Sequence, residues 1–213
     1  MQMTATYDPT VFDVRDLQSA KGIILTPEGG FTTEERWQRE TPYLLDIILK
    51  HTPHLNADSV VLDYGCGIGR LAKVLIEATG CMVVGADISA NMRGLACSYV
   101  KSDRFVALHP DALAILGPAW ADLALSVWVL QHCIRPKIDV ERINAALVAD
   151  SPLFIVNQHG RVIPTKEHGW VKDDQDVAKI LDEQGFLLRE RKALDTSIVG
   201  ETMRDVAYWA IYN

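Results

Sequence analysis

Beyond Ser59 the chain alternates between two patterns, and that alternation constrains the fold more than any other feature. Short apolar, β-branched runs occur as SVVLDY at 59–64, MVVGAD at 82–87, RFVAL at 104–108, DLALSVWVL at 122–130 and PLFIVNQ at 152–158. Between them, and once after the last, lie stretches with helical apolar spacing at 70–79, 90–101, 138–149 and 176–184. Gly80 stops the first of these and Gly185 the last. Strands that alternate with helices build a parallel sheet covered on both faces. Two further strands are predicted at 186–194 and 204–213. The nine residues Asp195–Met203 that join them are too few for a parallel crossover, so this pair is expected to be antiparallel.

Ahead of this pattern, residues 1–31 read as irregular, punctuated by Pro9, Pro27, Gly29 and Gly30. A helix is predicted next. Thr32 and Glu35 have capping-box spacing, and Trp37, Leu44, Leu45, Ile47 and Ile48 form an apolar stripe. Pro42 predicts a kink or a second helix start capped by Thr41. Residues 1–56 are expected to pack as a lid and helices on a core at 57–213, within one structural domain. Tyr7, Phe12 and Phe31 are the lid's candidate contacts.

The first strand runs into Asp63-Tyr64-Gly65-Cys66-Gly67-Ile68-Gly69-Arg70, with a helix directly after it. Such a loop turns sharply and lets a ligand lie against bare backbone at the sheet's carboxyl edge. A dinucleotide fingerprint needs its third glycine at position 70, where this chain has Arg70. Asp63 would repel a pyrophosphate but suits a cation. Asp87, at the end of the second strand, is placed to accept from two ribose hydroxyls. Asp111 follows the third strand and is placed to accept from an adenine amine. A nucleoside bearing positive charge satisfies all three acids.

Asp63-x-Gly65-x-Gly67-x-Gly69, followed by Asp87-Ile88-Ser89, Asp111-Ala112 and DLALSVWVLQH, resembles the class I S-adenosylmethionine-dependent methyltransferases. The resemblance covers roughly residues 57–213. It implies an α/β, Rossmann-like three-layer sandwich with a seven-stranded, mostly parallel sheet. The implied strand order is 3-2-1-4-5-7-6, with strand 7 antiparallel. It further implies S-adenosyl-L-methionine as cofactor and S-adenosyl-L-homocysteine as product. Cofactor contacts then fall to Asp63, Gly65, Cys66, Gly67 and Gly69, to Asp87, Ile88 and Met92, to Asp111 and Ala112, and to Ser126 and Val127. His109-Pro110 stands where many members have a glycine before the third acid. RETPYLLDIILKH is loosely similar to a segment of glycine N-methyltransferases whose arginine binds the cofactor carboxylate, and Arg39 is the matching residue.

On the acceptor side, His132 follows the fourth strand and is the candidate general base, or a contact to the cofactor region. The stretch 158–172 reads as a long loop, with His159, Arg161 and Trp170 as candidate substrate contacts. The net charge of −7 disfavours nucleic acid as a partner, as does the lack of any basic run. The fourth strand ends in Ser-Val-Trp-Val, unlike the Asn/Asp-Pro-Pro-Tyr run of amino-group DNA methyltransferases. A small-molecule acceptor is therefore expected, with its acceptor atom open. No apolar run reaches the roughly 20 residues of a bilayer crossing. The N-terminal stretch has no export signal, and four cysteines without a CxxC pair suit a reducing cytoplasm and no metal site. Oligomeric state is left open. Two other readings stand beside this one: a nicotinamide-dependent oxidoreductase, and a non-catalytic cofactor-binding module.

Overall fold

The computed structural model describes residues 6–173 and 175–213. Residues 1–5, where the expected lid begins and an export signal was judged absent, lie outside that description. Two helices come first, α1 (Leu17–Ile24) and α2 (Thr33–His51). Then follow β1 (Val60–Tyr64), α3 (Arg70–Thr79), β2 (Met82–Ala86), α4 (Ala90–Val100) and β3 (Phe105–Leu108). The chain continues through β4 (Leu123–Val127), α5 (Pro136–Ala146), β5 (Leu153–Gln158), β6 (Arg161–Thr165) and β7 (Gly169–Asp173). It closes with α6 (Val177–Glu183), β8 (Leu188–Ala193), α7 (Thr196–Val199) and β9 (Ala207–Tyr212).

Seven strands form one sheet in the order β3-β2-β1-β4-β5-β9-β8. The pairs from β3 through β5 are all parallel, and β9 is antiparallel to both β5 and β8. This is the topology implied by the resemblance, with β8 and β9 in the places of its strands 6 and 7. The antiparallel closing pair follows from the short connection, which holds α7 and one 3-10 turn.

Three layers result. On one face Leu44 and Ile48 of α2, Leu71 and Leu75 of α3 and Val100 of α4 pack against Val61, Leu123 and Trp209. On the other, Val140 and Ile143 of α5 and Ile180 of α6 pack against Leu62, Ile155 and Tyr208. The central strands are buried on both faces, which is why they read as continuous apolar runs.

Three expectations are corrected. The second helix start offered at Thr41 is not made: α2 runs as one helix through Pro42, its face anchored on both sides by buried Trp37, Leu44 and Ile48. That packing outweighs the one backbone bond that proline removes. Its start is as read: Thr32 Oγ1 accepts from the Glu35 amide at 3.2 Å, and the Glu35 carboxylate accepts from the Thr32 amide at 2.8 Å. Residues 1–31 are not wholly irregular, since Asp16 caps α1 by accepting from the Ser19 amide at 2.9 Å. The stretch read as a loop at 158–172 is largely the β6–β7 hairpin, a separate two-stranded sheet. Thr6–Asp8 lies along it: Tyr7 pairs with Thr165, and the Asp8 amide donates to Pro164 O at 3.0 Å.

Candidate active site

A cleft of about 1020 Å³ opens at the carboxyl ends of β1, β2 and β4. The β1–α3 turn forms its floor. Gly65 (φ 78°) and Gly67 (φ 53°) both occupy the left-handed region. A Cβ on Gly65 would stand 2.2 Å from Val129 Cγ2, so the close approach of two loops demands glycine there. The Gly65 amide donates to Ala86 O at 2.6 Å, tying the turn to the end of β2.

Asp87 sits at that end, half-buried. Its Oδ2 accepts from the Gly67 amide at 2.9 Å and its Oδ1 from the Ser89 amide at 2.9 Å. Arg93 donates to Asp87 O at 2.6 Å and fixes the backbone. Burial raises the carboxyl's pKa, while the two amide donors act the other way. The carboxylate is thus aimed, with lone pairs left for further donors. Ile88 is 43% exposed beside it, an apolar face at the cleft edge.

Asp63 is buried in the cleft wall. Burial pushes its carboxyl up to about 7, Arg70 opposes that, and the Asp87 charge adds to it. Asp111 also lines the cleft, but its carboxylate is already engaged by Arg142 and stands 3.4 Å from His109 Nδ1. Arg142 in turn reaches Asp139 at 3.4 Å, and Asp139 accepts from the Tyr64 hydroxyl at 2.5 Å.

A buried ion cluster closes one wall. Glu40, wholly inaccessible, accepts from Arg36 at 2.8 Å, from Arg70 at 3.4 Å and from the Trp128 indole at 2.8 Å. Trp128 holds a left-handed backbone (φ 63°) that non-glycine residues rarely adopt, pinned by this bond and by its amide bond to Val156 O at 2.8 Å. Arg36, Arg70 and Trp128 all line the cleft, and Arg36 Nε is buried without a partner among the described residues. Sequence reasoning missed this cluster. The Arg36/Glu40 spacing of one helical turn was its only visible signal.

The expected residues therefore divide. Asp63, Gly65, Cys66, Gly67, Asp87, Ile88, Met92, Asp111, Val127, His132 and Trp170 line the cleft. Arg39 does not: it lies on the exposed side of α2, donates to Ser197 O at 3.3 Å and stacks over Phe31. Arg36, one helical turn earlier, takes the inward position. Gly69 caps α3 behind the turn, and Ala112 is closed into a turn by its amide bond to His109 O at 2.8 Å. Ser126 points into the core because strand residues alternate, which gives the cleft to Val127. His159 is turned outward against Tyr208 and Arg191. Arg161 is fully buried beneath the site, donating to Cys133 O and pairing with Asp173 at 3.3 Å.

His132 is held by a chain of bonds. The Gln158 amide donates to Gln131 Oε1 at 2.7 Å, which fixes the orientation of that side-chain amide. Gln131 Nε2 then donates to His132 Nε2 at 3.0 Å, and His132 Nδ1–H donates to Val162 O at 2.6 Å. Burial lowers the pKa of the imidazole, the bond to Val162 O acts the other way, and the Arg161 charge adds to the lowering. His132 is accordingly a neutral Nδ1–H tautomer whose second nitrogen is already occupied.

Residues 33–160 match a family described as a methyltransferase domain, and the chain belongs to that family. Among curated relatives, N-demethylindolmycin N-methyltransferase of Streptomyces griseus is 33% identical over 104 residues. That match covers 46% of this chain and 44% of the relative, so the chain matches less than half of the relative's length. Burkholderia thailandensis 1,6-didemethyltoxoflavin-N1-methyltransferase, solved with its namesake ligand and S-adenosylhomocysteine, has the same fold. It gives a TM-score of 0.62 at 20% identity, covering 84% of this chain and 79% of that one. The cyclase SpnF gives a TM-score of 0.62 at 15% identity, covering 89% and 84%. The fold alone therefore does not dictate the reaction.

Proposed function

We propose that the protein transfers a methyl group from S-adenosylmethionine to a small-molecule acceptor, releasing S-adenosylhomocysteine. The observation that carries this reading is Asp87, tethered at both oxygens to backbone amides directly over the glycine turn. The family membership and the liganded relative support it.

The cleft's polar groups suit that cofactor. Asp87 would accept from the ribose hydroxyls, Ile88 would cover the adenine, and Asp111 would share its carboxylate between Arg142 and the adenine amine. Asp63 would face the ammonium of the methionine portion. The partnerless Nε of Arg36 would meet its carboxylate. When bound, the cofactor supplies a methyl group already activated on a sulfonium. The chain's own contribution is to place the acceptor on the methyl axis and to exclude water. The N-terminal segment serves as the lid, since Ile24 lies against Gly67 and Asp13 accepts from the Ser89 hydroxyl at 3.1 Å.

A small acceptor fits the net charge of −7 better than a nucleic acid does. Among the described residues no helix is long and apolar enough to cross a membrane. All four cysteines are free, which supports a reducing, cytoplasmic location. A screen of small acceptors with methyl-labelled cofactor tests the activity. Label is expected to pass to at least one class of acceptor. Cofactor binding with no transfer to any of them would favour a non-catalytic binding module.

A further inference from the structure

Beyond the ends of β2 and β3 the cleft is walled by Ile88, His109, Pro110 and Asp111, and by Arg142 of α5. The backbone around Asp111 has no hydrogen-bond donor to give a ligand there. Pro110 has no N–H. The Asp111 amide donates to His109 Nδ1 at 3.2 Å, and the Ala112 amide donates to His109 O at 2.8 Å. Both bonds belong to the 3-10 turn that His109 caps and Pro110 opens. His109 Nδ1 therefore presents a lone pair, and the ring's single N–H sits on Nε2, directed away from Asp111.

Arg142 supplies what the turn lacks. Its guanidinium is half-buried in the cleft wall and fixed from two sides. Nη2 pairs with Asp111 Oδ1, and Nη1 pairs with Asp139 Oδ1 at 3.4 Å. Asp139 is itself held by the Tyr64 hydroxyl at 2.5 Å, which also lies against Arg142. A guanidinium has more N–H donors than these two carboxylates use, set in a rigid planar fork. Asp111 Oδ2 meets no donor among the described residues, since His109 Nδ1, at 3.4 Å, turns a lone pair to it. The cleft edge thus carries an acceptor and a donor side by side, a carboxylate oxygen next to a guanidinium N–H. Adenine presents the complement, an amine flanked by unprotonated ring nitrogens.

We infer that Arg142 is a specificity-determining residue of the cofactor site: it donates to the ring nitrogen beside the amine that Asp111 receives, so the ion pair reads the base as adenine. This rests on the methyltransferase reading, which brings the adenosine of the cofactor to this end of the cleft. Asp111 alone would answer only to the amine. The donor from α5 adds a requirement for a nitrogen lone pair next to it. Tyr64 and Asp139 are positioning residues in this account, because they hold the guanidinium against Asp111 without reaching the base.

The test titrates the full chain by calorimetry with S-adenosylhomocysteine and with its 1-deaza and 7-deaza forms, each of which replaces one ring nitrogen beside the amine by C–H. In the wild type at least one analogue is expected to bind about tenfold more weakly than S-adenosylhomocysteine, the loss of a bond from a charged donor. Arg142→Met should weaken S-adenosylhomocysteine about tenfold and erase the difference from that analogue, which is the signature of coupling between the residue and the nitrogen. Arg142→Lys keeps a donor but not the fork, so the difference should shrink without vanishing. His109→Ser keeps an acceptor for the Asp111 amide and removes the ring N–H, and should leave the difference in place. Equal binding of all three ligands to the wild type would overturn the proposal. So would a difference that survives in Arg142→Met or disappears in His109→Ser, or an S-adenosylhomocysteine affinity unchanged or raised in Arg142→Met. If Arg142→Met does not fold, Arg142→Lys decides, and an undiminished difference there overturns the proposal. Failure to bind S-adenosylhomocysteine at all would overturn the underlying reading, and the proposal with it.

Discussion

The Gly67 amide donates to Asp87 Oδ2 at 2.9 Å, so the glycine turn and the second acid form one unit. Neither is positioned independently of the other. Removing the carboxylate would take away the proposed ribose acceptors and loosen the turn. Asp87→Ala should lower affinity for S-adenosylhomocysteine at least about tenfold, as expected for lost charge-assisted bonds. Circular dichroism should show the fold retained, because Asp87 lies at a strand end. Unchanged affinity in the folded variant would refute the ribose role.

Glu40 is the one carboxylate that pairs with both buried arginines, Arg36 and Arg70. Glu40→Gln removes their shared counter-charge and should cost about 3–5 kcal/mol in urea unfolding, the range for breaking a buried pair. Arg39→Met, on the exposed side of the same helix, should cost under about 1 kcal/mol. The two arginines should also separate in binding. Arg36→Met is expected to weaken S-adenosylhomocysteine binding, while Arg39→Met leaves it unchanged. The reverse result would return the carboxylate contact to Arg39.

Asp63 gives a pH signature. Its carboxyl is raised from 3.8 to about 7 by burial, so the folded chain holds a proton that the unfolded chain has released. Its contribution to stability is full below pH 3.8 and is lost as the pH rises through about 7. Ionisation also creates the charge that would attract the cofactor ammonium. Affinity for S-adenosylhomocysteine should therefore increase as pH rises through about 7, and Asp63→Asn should flatten that profile. A wild-type profile that stays flat would contradict the role given to Asp63.

His132 titrates in the opposite sense. Its pKa is lowered from 6.5 by burial, so it favours the folded state above pH 6.5. That contribution is lost as the pH falls through its lower folded value. For turnover, His132→Ala should weaken acceptor binding with at most a modest loss at saturation. A loss above about a hundredfold at saturation, with cofactor affinity intact, would identify a general base.

Much of this was legible in the sequence, for physical reasons. The parallel strands β1, β2, β4 and β5 are largely buried on both faces and so read as unbroken apolar runs, while β3 lies at the sheet edge with Val106 exposed. The glycine turn was legible because Gly65 and Gly67 need backbone angles that few other residues tolerate. What was hidden depends on tertiary contact. α1 is short and carries Gly22, so its propensity is weak. Strand β6 contains Pro164, which argues against a strand, yet Pro164 O serves as an acceptor for the Asp8 amide. Arg36 and Arg39 differ only in which side of α2 faces the cleft, and resemblance picked the outward one. The Glu40 cluster and the tautomer of His132 arise from residues far apart in the chain, which no local pattern records.

The most direct test of the central claim is calorimetric titration of the purified full chain with S-adenosylhomocysteine and, separately, with NAD. The acids of the cleft and the partnerless Nε of Arg36 predict saturable, micromolar binding of S-adenosylhomocysteine and much weaker binding of NAD. Tighter binding of NAD, or no binding of S-adenosylhomocysteine, would contradict the methyltransferase reading.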